Sequence, residues 1–366
     1  MKKRLLSYIC AALTLAVLTA CGGSSSPESS SAVTETTTVP PETTTVTELT
    51  TAAESLPPPA INLLTGQSGL AAEAVNKRPI AVMINNNTAS LPQYGTEAAD
   101  VIMELPVEGG ITRLMALYSD YTKMPNVCSI RSCRYYFPLL AYGMDAIYIH
   151  WGSDQSIALE TLNRLQISHL DGGVVGGPLF GRDAVRRKTY ALEHTGYLDG
   201  SQLPSALANG GYRTDLKDGY NKTLFTFNAE NAPQAPQGIA ANQTVLQFSK
   251  AYYSTFTYDA ATATYLKQHN GAPHMDSSTG NQLRFTNVIV LQTNIGLRGT
   301  GGLLNVDLTS GTGKYISNGA AEDITWSKAG DEAPVVLTKA DGTPLSVNTG
   351  KSYVAFIGYD KAVTVQ

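Results

Sequence analysis

The sequence predicts an α+β protein: a mixed α/β N-terminal domain over residues 60–211, then a mostly β C-terminal domain over residues 212–366. Three observations predict it. In the first half, short apolar runs alternate with stretches whose apolar residues recur at helical spacing. From about Tyr212 onward, β-branched and aromatic runs follow one another, broken by Gly, Asn and Asp. Ahead of both lie an apolar leader and a low-complexity stretch that belong to neither pattern.

The leader comes first. Lys2, Lys3 and Arg4 precede an apolar stretch at residues 5–18. A membrane-spanning helix needs about 20 apolar residues, so the stretch fits the central region of a secretory signal. It ends in Leu18-Thr19-Ala20-Cys21, a lipobox that resembles those of bacterial lipoproteins. The expectation is a signal peptide over residues 1–20 and a mature chain whose Cys21 thiol carries a diacylglycerol. Each buried methylene contributes about 0.8 kcal/mol, so two or more acyl chains anchor firmly. The body would then sit on the extracytoplasmic face of the cell membrane, held through the Cys21 lipid. Residues 22–59 hold 10 Thr, 7 Ser, 6 Pro and 5 Glu, with no Lys, Arg or aromatic residue. Such a segment buries too little apolar surface to offset its ordering entropy, so residues 21–59 are expected to be a disordered tether.

The whole chain carries a formal net charge of −4. Loss of the three leader cations makes the mature chain more acidic, and the five tether glutamates account for most of that charge. The body is left nearly neutral. It has no electrostatic footprint for nucleic acid, and no basic patch for anionic lipid is expected. Of the four cysteines, Cys10 leaves with the leader and Cys21 is acylated. Cys128 and Cys133 remain, in a compartment where disulfides are permitted. On one helix their spacing would point them to different faces, so buried small apolar residues are the expectation.

Within the first domain, residues 80–84 read as a buried strand ended by Asn85-Asn86-Asn87. Residues 99–105 and 112–118 read as two strands of an antiparallel hairpin turning at Gly109-Gly110. Residues 131–142 read as a helix, 146–151 as a strand and 156–165 as a helix. In the second domain, strands are expected at 224–227, 256–259, 264–268, 287–293, 303–308, 313–317, 320–327, 335–338 and 352–358. Asp341-Gly342 marks a tight turn. Residues 201–211 and 241–252 are expected to carry the boundary.

Several of these stretches are similar to the YerB-like lipoproteins, a family also labelled as a domain of unknown function. They include Arg78-Pro79-Ile80-Ala81-Val82-Met83-Ile84-Asn85-Asn86, Ala99-Asp100-Val101-Ile102-Met103-Glu104 and Val107-Glu108-Gly109-Gly110-Ile111-Thr112-Arg113. They continue through Ile130-Arg131-Ser132-Cys133-Arg134, Asp145-Ala146-Ile147-Tyr148-Ile149-His150-Trp151-Gly152 and Phe180-Gly181-Arg182-Asp183. In the second half His274-Met275-Asp276, Gly311-Thr312-Gly313 and Trp326-Ser327-Lys328 fit the same family. The chain departs from the family at Cys128-Ser129, at Cys133 and after Arg187, where His194 alone is kept. The resemblance implies an envelope lipoprotein with an α/β first domain and a β-rich second one, and it implies no activity.

The residues themselves offer two readings. Glu104 and Glu108 flank the turn leading to Arg113, and Arg131, Ser132 and Arg134 open the expected helix. A helix N-terminus with Arg113, Arg131, Arg134 and Arg182 near it can hold a carboxylate or phosphate, such as those of an envelope polymer like peptidoglycan. The same residues can equally form an internal ion-pair network. The second reading is catalytic. His150 ends a strand beside a glycine turn, with Asp145, Asp154 or Asp183 to orient it and Ser132 or Ser153 as nucleophile. No serine-hydrolase elbow or penicillin-binding motif accompanies it. His274 with Asp276, and Glu193 with His194, each offer two metal ligands where a catalytic zinc takes three, so no metal is expected. Gly299 to Gly302 lacks the lysine of a phosphate-binding loop, and no cofactor is called for. With 19 Tyr against 8 Phe, Tyr135-Tyr136 and Tyr252-Tyr253 are either sugar-stacking platforms or ordinary core and rim. The function expected is a binding or scaffold protein for an envelope polymer or cell-wall enzyme. The alternative is an envelope hydrolase or transferase acting through His150.

Overall fold

Strands buried on both faces build a central sheet to which both halves of the chain contribute. The computed structural model describes residues 60–220, 224–299 and 302–366. The leader, Cys21 and the tether lie outside the described residues.

Five strands of that sheet come from the first half: β1 (Ile80–Asn85), β2 (Val101–Pro106), β3 (Thr112–Tyr118), β4 (Ile147–His150) and β5 (His169–Asp171). The helices are α1 (Tyr136–Tyr142), α2 (Ala158–Arg164) and α3 (Leu203–Asn209). The second half supplies β6 (Gln243–Gln247), β7 (Tyr253–Asp259), β8 (Thr264–His269), β9 (Asn287–Thr293), β10 (Ser310–Ser317), β11 (Ala320–Ser327), β12 (Ser352–Gly358) and β13 (Val363–Val365). In the main sheet the order runs β11-β10-β9-β12-β2-β3-β1-β4-β5, with Ile239–Ala240 beyond β11 and Val336–Lys339 also paired to it. β12 lies parallel to both β2 and β9. A strand near the C-terminus thereby joins the strands of the two predicted domains into one sheet. The β2–β3 hairpin is antiparallel as expected, pairing Val101 with Leu117 and Pro106 with Thr112.

The sheet has an apolar layer on each side, as period-two strands require. On one face Val82, Ile84, Ile102, Leu114, Val290 and Tyr353 pack with α3 and with a second, antiparallel sheet through Leu203, Leu246, Phe256 and Tyr265. That sheet runs Ala272–Pro273, β8, β7, β6, β13. On the other face Ala81, Met83, Met103, Leu105, Met115, Ile289 and Phe356 pack with α1 and α2 through Phe137, Leu140, Ala158 and Leu162. Truncating a buried aromatic such as Phe137 to Ala costs about 3–5 kcal/mol, so the helices are held by packing rather than by their own short length.

Two expectations, both of secondary structure, need correction. The helix expected over 131–142 begins only at Tyr136. The Arg131 N–H donates to the Met83 carbonyl, Trp151 N–H to the Arg131 carbonyl and Cys133 N–H to the Gly152 carbonyl. Those bonds hold residues 131–133 extended between the end of β1 and the turn after β4. No helix N-terminus therefore stands at Arg131. Residues 201–211 and 241–252 form α3 and β6, both packed into the core through Leu203, Leu207 and Leu246. The strand expected over 224–227 is confined to Thr226–Phe227. Cys128 and Cys133 are free thiols in the interior, and burial pushes them up to about 11 and about 12.

Candidate functional site

The β2–β3 hairpin divides the candidate residues between the two faces of the sheet. Glu104 shares a face with Ile102, and Arg113 shares the opposite face with Met115. The sequence had placed them in one cluster.

Glu104 belongs to a buried polar network between the sheets. Its Oε1 accepts from Asn86 Nδ2 at 2.9 Å and Thr112 Oγ1 at 2.6 Å, its Oε2 from Ser254 Oγ at 2.8 Å and from the Tyr353 hydroxyl. Beside it Lys267, wholly buried, donates from Nζ to His274 Nδ1 at 2.9 Å. His274 Nε2 then faces Gln93 Oε1 at 2.7 Å. Lys267 is lowered to about 8 by burial, against the raising charge of Glu104. Burial and then the Lys267 charge lower His269 to about 4 and hold His274 well below the usual imidazole range. The network ties Asn86, Gln93, Glu104 and Thr112 of the first half to Ser254, Lys267, His274 and Tyr353 of the second. Asp276 is spent on the Glu97 N–H and the Thr96 and Ser278 hydroxyls.

On the other face the arginines gather. Arg113 is 7% exposed and donates from Nη1 to the Ser132 carbonyl. Burial lowers it to about 10, and the charges of Arg134 and Arg131 lower it further. It forms no ion pair among the described residues, because Glu108 is taken by Arg134 Nε at 2.7 Å. Glu108 also accepts from the Leu304 N–H, which ties the hairpin turn to the second half. Arg131 reaches the half-exposed Glu193 at 3.5 Å. Arg182 stacks on Trp151, 4.1 Å from the ring centroid, and donates to the Leu192 carbonyl at 2.8 Å. Burial lowers Arg182, and the charge of Arg131 lowers it next. Arg298 lies 4.8 Å over the ring of Tyr135, whose hydroxyl bonds Asn305. The structure thus brings Arg113, Arg131 and Arg134 together with Glu108 and the Ser132 backbone, continues the cationic stripe to Arg182, and leaves Glu104 out. The body gathers Arg113, Arg131, Arg134 and Arg182 along one edge, with Glu108 and Glu193 paired among them.

The catalytic candidates are dispersed. His150 is 1% exposed. Its Nδ1 donates to the Gly152 carbonyl at 2.8 Å, which leaves Nε2 to accept from His169 Nδ1 at 3.0 Å. Asp154 caps α2 through the Ile157 and Ala158 N–H groups. Asp145 is bound by Arg213 and Arg78. Asp183 accepts from the Tyr94 hydroxyl and from the Val185 and Arg186 N–H groups. Neither Ser132 nor Ser153 is hydrogen-bonded to His150. His194 lies against the end of β1, where its Nδ1 accepts from Asn85 Nδ2 at 2.8 Å. Tyr136 and Tyr252 are buried, with hydroxyls bound to the Pro106 carbonyl and the Thr88 N–H; they serve the core. Sequence reasoning missed Lys267, Gln93 and Asn86. The period-two pattern of β8 had carried a signal, since Tyr265, Lys267 and His269 fall on one face.

These features define an α+β protein built on two main sheets, with a sealed polar interior and an arginine-lined edge. The chain belongs to the DUF3048 family: residues 64–213 match the model described as "Protein of unknown function (DUF3048) N-terminal domain", and residues 244–354 match its C-terminal domain. A relative in Bacillus subtilis (strain 168), "Putative lipoprotein YerB", is 25% identical over 307 residues, covering 83% of this chain and 88% of the relative. The crystal structure of the YerB protein from Bacillus subtilis shares the fold, with a TM-score of 0.72 and 23% identity over 83% of this chain and 99% of that one.

Proposed function

We propose that this chain is a lipid-anchored protein of the extracytoplasmic face, and that its body binds a carboxylate-bearing envelope polymer through Arg113, Arg131 and Arg134. One observation carries the binding reading: Arg113 is buried, flanked by two like charges, and has no carboxylate of its own. A buried charge is costly unless paired, and a ligand carboxylate entering the site supplies the missing partner. Guanidinium groups engage carboxylates through paired, planar hydrogen bonds. Peptidoglycan stem peptides present such carboxylates. The lipobox at Cys21 and the name of the Bacillus subtilis relative support the anchor. The hydrolase reading through His150 is weaker: Asp171 Oδ2 lies 3.9 Å from Nδ1, but both ring nitrogens are engaged internally and neither candidate serine bonds the ring.

The test is retention of the unacylated body, residues 57–366, which form one compact unit, on purified peptidoglycan. Retention that is lost in Arg113→Met and Arg131→Met supports the reading. Equal retention by wild type and both variants, or retention by none of them, overturns it.

A further inference from the structure

Two loops beside the cationic edge expose apolar side chains that an ordinary soluble surface has no reason to order. Val174 and Val175 stand on a turn flanked by Gly172, Gly173, Gly176 and Gly177, and are 83% and 45% exposed. In the loop between Asp183 and His194, Val185 is 73% and Leu192 58% exposed. The two loops are neighbours. Arg182 holds the Leu192 carbonyl while stacking on Trp151, and the Trp151 ring packs on Gly172, where a side chain carbon would come within 2.8 Å of it.

Both loops are also pinned from below. The Asp171 carboxylate accepts from the Gly152 and Gly173 N–H groups at 2.7 and 2.8 Å. Arg186 is buried and donates to the carbonyls of Ser90, Pro92 and His194. The apolar tips are therefore presented by a fixed frame. Around them Arg187 and Lys188 are exposed and form no ion pair among the described residues. The nearby acids are spoken for: Asp171 and Asp183 on backbone N–H groups, Glu193 on Arg131.

We propose that this face docks on an anionic phospholipid surface. Val174 and Val175 enter the headgroup boundary, Val185 and Leu192 lie against it, and Arg187 and Lys188 meet lipid phosphates. Apolar tips ringed by cations are the combination that interfacial binding needs. A soluble anionic polymer would use the cations alone and leave the valine pair without a role. The apolar tips carry no residue of the Arg113 site, although Arg131 of that site reaches Glu193 beside Leu192, and docking needs no acyl chain on Cys21.

The experiment sediments the unacylated body, residues 57–366, with vesicles of phosphatidylglycerol and phosphatidylcholine, and with phosphatidylcholine alone. The expected result is binding to the anionic vesicles only, weakened by salt. Binding falls about fivefold for each cation removed in Arg187→Gln and Lys188→Gln, and about tenfold or more in Val174→Asp/Val175→Asp. All of these residues are exposed, so the variants keep the wild-type melting temperature. Arg113→Met keeps full vesicle binding, which separates a failure here from a failure of the polymer reading. No binding to anionic vesicles, or binding indifferent to the valine pair, overturns the proposal. So does a wild-type dimer that Val174→Asp/Val175→Asp disperses without any vesicle binding, since the face would then be a contact between copies.

Discussion

The Tyr353 hydroxyl donates to Glu104 Oε2 across the seam between β12 and β2, joining residues 249 positions apart. Both side chains are buried, and the carboxylate accepts three further bonds from Asn86, Thr112 and Ser254. Hydrogen bonds to a charged group contribute about 1.5–3 kcal/mol each. Tyr353→Phe is expected to lower unfolding stability in denaturant titrations by about 2 kcal/mol, with the fold retained. Glu104→Leu leaves several buried donors unpaired and is expected to cost more than Tyr353→Phe.

Acid should loosen the same seam. Burial depresses His269 to about 4 and His274 further. In the unfolded chain both take up protons near pH 6.5. The unfolded state therefore binds more protons as pH falls below 6.5, and the stability these residues give is lost progressively towards pH 4. Each histidine contributes a slope of about 1.4 kcal/mol per pH unit in that window. A His274→Asn variant is expected to show a correspondingly shallower fall in stability between pH 6 and pH 4. An unchanged slope would show that His274 is not held neutral in the fold.

Lys267 works on the alkaline side. Its folded value is about 8 against 10.5 for the free side chain. Between those values the unfolded chain holds the proton that the folded one has released, so stability rises with pH. Relative to Lys267→Met, the wild type is expected to gain roughly 1–3 kcal/mol between pH 8 and pH 10. Parallel pH profiles for the two proteins would contradict the burial of a titrating ammonium.

Much of the fold was legible because it follows from local pattern. β3, β9, β11 and β12 match the expected segments residue for residue. The hairpin at Gly109-Gly110 was read from its turn residues. What was not legible depends on partners distant in sequence. Residues 131–133 carry no helix breaker, yet three backbone bonds to β1 and the turn after β4 draw them out straight. β12 reads as an apolar run, but nothing local says that its neighbours are β2 and β9.

The site was legible in part for the same reason. Arg113, Arg131 and Arg134 lie within about twenty positions, and their convergence was expected. Glu104 was assigned to them by proximity in sequence, although strand alternation sends it to the opposite face. The Lys267–His274–Gln93 chain joins residues up to 181 positions apart, and no spacing rule connects them. The cationic edge was hidden by the near-neutral net charge, which averages over faces that folding separates.

The role proposed for Arg113 is to pair a ligand's charge rather than to serve as a structural ion. The guanidinium has no ion pair to lose, so removing its charge leaves no carboxylate unpartnered and costs chiefly the bond to the Ser132 carbonyl. The most direct measurement is a calorimetric titration of residues 57–366 with soluble peptidoglycan stem-peptide fragments, made on wild type and on Arg113→Met together with their unfolding free energies. Arg113→Met is expected to stay within about 1 kcal/mol of wild type in stability while affinity falls on the order of 100-fold. A variant several kcal/mol less stable, with affinity for the fragments intact, would contradict it.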